Sequence, residues 1–316
     1  MSTVIPQWNI SNAPVLASLN DYTVLNNDVK MPRVGIGSWM GGVASLNAAD
    51  FSDEPARALK SVKMALDAGY RAIDTAVAYS TEEACGQAFR ESGLKREEVF
   101  ITSKFISQEA NNPAIAESVF KGTLEQMGLE FLDLYLIHWP VFFPGDEMYL
   151  QLWKVFERLY KEGLVRAIGV SNFNIEHLEK LLSDCEIIPV VNQVEFHPFL
   201  QQYELREYCA KHKIQVEAWS VQGYGRIFYN EEIKQLAAKY GKTESQITLR
   251  WALQEGVVII PRSEKKERII ENASLYDFAL SGEDMTLMRS LNTNTRFGPD
   301  PAVGPGVGSN SEYLYK

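Results

Sequence analysis

Short runs of apolar residues alternate with longer amphipathic stretches along most of the chain. The runs are VGIG (34–37), RAIDTA (71–76), VFITSKF (99–105), FLDLYLIHW (131–139), VRAIGVSN (165–172), IPVVNQVEF (188–196), IQVEAWS (214–220) and GVVIIPRS (256–263). Near-continuous apolar character marks a strand covered on both faces, as in a parallel sheet. Between the runs lie stretches of helical periodicity at 54–69, 81–93, 114–128, 148–163, 175–185, 203–212, 230–240 and 244–254. Eight strand–helix units without a linker-like break predict an α/β chain folded as a closed (β/α)8 TIM barrel over 22–292. An open, doubly wound sheet is the alternative that this rhythm leaves.

Ahead of these units, YTVLNNDVKMPRVGIG alternates on either side of Asn26-Asn27 and predicts an N-terminal β-hairpin with a tight turn there. Residues 1–21 read as an extension, without the basic and apolar regions of a signal peptide. No apolar run is long enough to predict a membrane-spanning helix. Residues 293–316 end in FGPDPAVGPGVGSNSEYLYK and predict an irregular C-terminal tail, rich in glycine and proline, that contributes to a substrate pocket.

Composition narrows the function. The 316 residues are 46% hydrophobic and 23% charged, ordinary for a globular chain. A net charge of −10 argues against a nucleic-acid partner. It leaves room for a small phosphate-bearing ligand, which needs only a local basic cluster. Cys85, Cys185 and Cys209 are far apart, so they offer no metal-ligand spacing. Their odd number suits a reducing cytoplasm and buried, inert thiols.

The stretch VGIGSWMGG, starting at Val34, resembles a dinucleotide-binding glycine loop but fails its spacing. Gly35 and Gly37 fit, the third position is Met40, and Gly41 comes one place late. The better reading is the close-packed end of the first strand, followed by Trp39 as a candidate wall of an apolar cavity and by a loop over 40–53.

Barrel sites lie at the C-terminal ends of the strands. There the sequence puts Asp74 and, five residues on, Tyr79; then Lys104, His138-Trp139, Ser171-Asn172, Gln193 with Glu195, Trp219-Ser220, and Arg262-Ser263. Singly, each is as readily a cap, a solvated charge or packing. Together they form a chemical constellation. A tyrosine hydroxyl, with a pKa of about 10, is a weak acid near neutrality. A neighbouring lysine ammonium favours the phenolate and lowers that pKa. A carboxylate keeps the lysine charged, and an imidazole orients a carbonyl. This is general-acid machinery for carbonyl reduction. Trp219 offers a flat face for a ring, and Trp39 and Trp139 offer apolar walls. In IPRSEKKERIIEN (260–272), Ser263 is a candidate helix cap, and Arg262 and Arg268 are candidate anion partners. Glu264 is a discordant charge among them.

In order along the chain, GIGSW, DTAVAYSTEEACG, ITSKF, DLYLIHWP, IGVSNF, VNQVEFHP and IPRSEKKERIIEN resemble the aldo-keto reductase family. The nearest likeness is to its prostaglandin F synthase-like and diketogluconate reductase-like branch. The resemblance implies a cytoplasmic, NADPH-dependent oxidoreductase without a Rossmann fold, with NADH as a secondary cofactor. It acts on an aldehyde or ketone, as a monomer or weak dimer. Tyr79 would protonate the carbonyl oxygen, tuned by Asp74 and Lys104, with His138 orienting the substrate between Trp39 and Trp139. Ser171, Asn172 and Gln193 would hold the nicotinamide carboxamide, with Trp219 stacked on the ring. Ser220 and Arg226 would lie along the pyrophosphate. Arg262, Ser263, Arg268, Glu271 and Asn272 would hold the adenosine end, the two arginines near its 2′-phosphate. Arg262 replaces the family's usual lysine, and Val221-Gln222 its usual Pro-Leu. The alternative function is a non-catalytic cofactor-binding barrel with a regulatory or structural role. A barrel hydrolase or lyase would want a metal cluster or paired carboxylates.

Overall fold

The structure, a computed structural model, describes residues 16–41, 53–106, 112–141 and 147–305. Most of the predicted extension and the end of the tail, together with the loop residues 42–52, lie outside the described residues.

Eight strands run parallel and in chain order: β3 (Ile36–Gly37), β4 (Ala72–Asp74), β5 (Phe100–Phe105), β6 (Leu134–Ile137), β7 (Ile168–Ser171), β8 (Val191–Glu195), β9 (Gln215–Trp219) and β10 (Val258–Ile259). The first and last are joined. Val34 bridges Ile259 in parallel, Gly35 N–H donates to the Ile259 carbonyl at 2.9 Å, and Ile259 N–H donates to that of Arg33 at 3.0 Å. The sheet therefore closes into a barrel, and the open doubly wound alternative is excluded.

Strand periodicity sorts the side chains into two layers. Tyr135 and Ile137 of β6 join the outer core beneath the helices. Leu134 and Leu136 turn inward with Ala72, Phe100, Val191 and Val258. The hairpin β1 (Tyr22–Val24) and β2 (Lys30–Pro32) closes this end, with Leu25 and Met31 packed into the inner cluster. Its turn is Asn26–Asp28, one residue longer than the predicted Asn26-Asn27 turn, because Asp28 takes the left-handed conformation (φ 67°). Further along the same inward faces the residues become polar: Asp74, Lys104, Gln193 and Glu217. The apolar floor and polar rim place the chemistry at the C-terminal end.

The helices follow from capped amphipathic stretches. Helix α3 (Pro113–Met127) starts with Asn112 accepting from Ala114 N–H and stops at Gly128 (φ 65°), a left-handed position that favours glycine. Helix α4 (Tyr149–Lys161) buries Leu152, Trp153, Phe156 and Leu159, one stripe at helical spacing. One helix escaped the periodicity reading: α10 (Gly282–Ser290), whose Asp284 receives Lys239 at 2.8 Å. Gly35 and Gly37 pack closely, as expected. A Cβ on Gly35 would lie 3.1 Å from that of Ala72, and one on Gly37 would lie 3.3 Å from the Ile260 carbonyl oxygen.

Candidate active site

A continuous cleft of about 1730 Å³ opens at the polar end of the barrel. It runs from Trp39, Tyr79, His138 and Trp139 past Trp219 to Arg262, Arg268 and Asn272. Four of the residues expected to carry chemistry converge at one end. Asp74 closes β4, and a 3-10 turn, Val77–Tyr79, swings Tyr79 back over the barrel mouth. Lys104 points in from β5 and is completely buried; His138 follows β6, its N–H donating to the Phe105 carbonyl at 3.1 Å.

The Lys104 ammonium donates to Asp74 Oδ1 at 2.6 Å and to the Thr75 carbonyl at 2.9 Å. It also lies 4.9 Å from the centre of the Tyr79 ring. Burial acts to lower its pKa, but the charge of Asp74 and its hydrogen bond, with the Tyr79 phenol, hold it above the ordinary value. Tyr79 departs from expectation. Burial raises its pKa, Asp74 adds to that, and the lowering by Lys104 does not overcome the two. The hydroxyl thus keeps its proton at neutral pH. Its oxygen lies 3.3 Å from His138 Nε2. Burial and the Lys104 charge push the His138 pKa well below its usual range, so the imidazole is neutral. Its Nδ1 is buried without a hydrogen-bond partner among the described residues.

Next to this group, Gln193 Nε2 donates to Asp74 Oδ2 at 2.8 Å and to Glu217 Oε2 at 2.7 Å. Both amide hydrogens are taken, so Gln193 has only Oε1 to offer a ligand. Asn172, in the left-handed region (φ 62°), donates to the His138 carbonyl at 2.9 Å and to Ser171 Oγ at 3.1 Å. Its Oδ1 accepts from Trp219 Nε1 at 2.9 Å, which fixes the indole plane. Two acceptor oxygens beside a fixed aromatic face suit the amide and ring of a nicotinamide.

Glu217 was missed in the sequence. It is buried on β9, and burial, reinforced by Asp74, pushes its pKa up to about 8 despite Gln193 and Lys104. Its spacing from Trp219 on an alternating strand was the available signal. Glu195 was noticed without a role. Its buried carboxylate accepts from Phe297 N–H at 2.7 Å and Gly298 N–H at 3.1 Å, and the ring of neighbouring His197 stacks on Phe297 at 4.7 Å. Residues 294–300 of the tail are thereby held along the cleft.

At the far end one expectation needs correction. Ser263 is not the helix cap: α9 (Lys266–Ala273) starts later, with Lys265 at the cap position. Ser263 Oγ instead accepts from Lys265 N–H at 3.1 Å, and its carbonyl accepts from Ser61 Oγ at 2.6 Å. The Arg226 guanidinium covers the ring of Phe297, a residue of the cleft wall, at 4.1 Å. Ser220, Ser263, Arg268, Glu271 and Asn272 all line the cleft, and Glu271 accepts from Thr243 Oγ1 at 2.9 Å. Arg262 sits 5.5 Å over Trp39. The discordant Glu264 is engaged by Arg57, which sequence reading had not singled out. A long cleft with basic groups at one end and an aromatic, proton-bearing site at the other fits an extended nicotinamide dinucleotide phosphate.

The profile of the Aldo/keto reductase family matches residues 33–293. The chain is 48% identical over 284 residues to the glyoxal reductase of Bacillus subtilis strain 168, covering 90% of this chain and 97% of that protein. It is 43% identical over 281 residues to the 9,11-endoperoxide prostaglandin H2 reductase of Trypanosoma cruzi strain CL Brener, covering 88% and 93%. Among solved structures, a Bombyx mori aldo-keto reductase in complex with NADP matches with a TM-score of 0.78 at 33% identity, covering 90% of this chain and 95% of that one.

Proposed function

The chain belongs to the aldo/keto reductase family, and from that premise we propose that it reduces small aldehydes or ketones to alcohols with NADPH. The observation that carries this reading is the Tyr79 hydroxyl, still protonated, 3.3 Å from a neutral His138 at the mouth of a long cleft. Bound there, NADPH supplies the hydride. Tyr79 delivers the proton to the carbonyl oxygen, and His138 orients that oxygen. Lys104, held by Asp74, stabilises the phenolate left behind, since a nearby cation favours the charged form. Oε1 of Gln193 and Oδ1 of Asn172 accept from the carboxamide, beside Ser171, and Trp219 covers the ring. Arg262 and Arg268 take the phosphate charge at the adenosine end, with Ser263, Glu271 and Asn272 around it. Ser220 borders the pyrophosphate path.

Trp39, Trp139 and the tail around Phe297 form the substrate walls. The 48% identity to a glyoxal reductase supports a small vicinal dicarbonyl as substrate class. The glyoxal and prostaglandin relatives carry different activities, so a branch near the prostaglandin F synthase-like and diketogluconate reductase-like enzymes is part of this proposal. So are a cytoplasmic location and action as a monomer or weak dimer. The reading as a non-catalytic binder leaves the convergence of Tyr79, Lys104, Asp74 and His138 without a purpose. A panel of glyoxal, methylglyoxal, an aromatic aldehyde and a simple ketone, run with NADPH and with NADH, tests the proposal. Consumption of NADPH with at least the dicarbonyls is expected. No turnover with any member would overturn it.

A further inference from the structure

Arg57, on a helix, and Glu264, in the turn before another, are far apart in the sequence, yet they meet side-on at the end of the cleft that holds Arg262. Arg57, on α1 (Glu54–Asp67), donates through Nε to Glu264 Oε2 at 2.8 Å and through Nη2 to Oε1 at 2.5 Å. The same Nη2 donates to the Met40 carbonyl at 3.1 Å, and Asp53 lies 3.7 Å from Nη1. Arg57 is therefore braced from three directions and holds the carboxylate in a two-pronged grip. Such a grip fixes geometry as well as charge. Glu264 lines the cleft beside Arg262, and each feels the other's charge.

Carboxylates and arginines read the same feature of a nicotinamide cofactor in opposite ways. A free carboxylate accepts from the ribose 2′-hydroxyl of NADH, whereas arginine takes the 2′-phosphate of NADPH. An unrestrained Glu264 would repel that phosphate and compete for Arg262. We infer that Arg57 sets the cofactor preference: by clamping Glu264 it masks the carboxylate beside Arg262 and leaves Arg262 to the 2′-phosphate. Arg57 acts through Glu264 and is a positioning residue for cofactor choice. The inference rests on the nicotinamide reading above and adds the selector between its two forms.

The test is direct binding. Quenching of tryptophan fluorescence reads the Kd of NADPH and of NADH for the wild type, Arg57→Ala, Glu264→Gln and the double variant. An exposed ion pair carries up to about 1 kcal/mol, or about fivefold in Kd. Arg57→Ala is therefore expected to weaken NADPH by about fivefold while NADH changes by less than about twofold. Adding Glu264→Gln to Arg57→Ala is expected to restore NADPH, because the unmasked charge is gone. Equal weakening of both cofactors, or no rescue in the double variant, would assign the pair a purely structural role and overturn the inference. Binding of neither cofactor by the wild type would overturn the nicotinamide reading itself, and the inference with it.

Discussion

The phenolic oxygen of Tyr79 lies 3.3 Å from Nε2 of His138, and the surroundings move their two pKa values apart. Burial raises that of Tyr79, against the pull of Lys104, and burial with the Lys104 charge lowers that of His138. Between them lies a window in which the phenol is protonated and the imidazole neutral. The proposed reduction draws its proton from the phenol, which loses it only as pH rises through the Tyr79 value. kcat/KM for carbonyl reduction is therefore expected to stay flat from pH 6 to about 8 and to fall only on the alkaline side. An inflection near pH 6.5, the ordinary histidine value, would contradict it.

Glu217 gives a stability signature of opposite character. Its pKa is near 4.3 in an unfolded chain and about 8 when buried here. A raised acid value means that the folded state prefers the protonated form. The contribution is fully present below the unfolded pKa and is lost as pH rises through the folded one. The urea midpoint of the wild type should therefore decline from pH 5 toward pH 8 by more than that of Glu217→Gln. Glutamine keeps the shape and has no proton to lose. Parallel pH profiles for the two proteins would place the ionisation of Glu217 elsewhere.

Gly298 reports on the tail. A Cβ there would fall 2.4 Å from Cη2 of Trp219 and 3.1 Å from Oε2 of Glu195. Trp219 is pinned by its 2.9 Å bond to Asn172, so the tail is the part that yields. Overpacking of this kind costs about 1–3 kcal/mol. In Gly298→Ala that cost falls on docking of the tail, outside the barrel core. A raised KM for the carbonyl with a nearly unchanged melting temperature is expected. A lowered melting temperature with an unchanged KM would show the tail to be structural rather than a wall of the site.

The barrel and its rim were legible because both depend on local pattern. Strand periodicity puts Asp74, Lys104 and Gln193 on inward faces, and closure of the sheet brings them together. What stayed hidden depends on pairings set by the fold. Arg57 and Glu264 are 207 positions apart, and Glu195 meets Phe297 across 102. Glu217 was within reach, since it shares the parity of Trp219. The direction of the Tyr79 shift was not, because it is a contest between burial and a nearby cation that only the packed site decides. Ser263 failed as a cap because the backbone turns first and α9 begins three residues later.

The central claim is that this barrel transfers hydride to a carbonyl while Tyr79 supplies the proton. Its most direct test is the decay of nicotinamide absorbance with NADPH and glyoxal, for the wild type beside Tyr79→Phe. Loss of a positioned general acid removes about 10²–10⁴-fold in rate. The wild type is expected to consume NADPH and Tyr79→Phe to lose activity on that scale, while both proteins quench on NADPH binding alike. Undiminished turnover by Tyr79→Phe would contradict the claim.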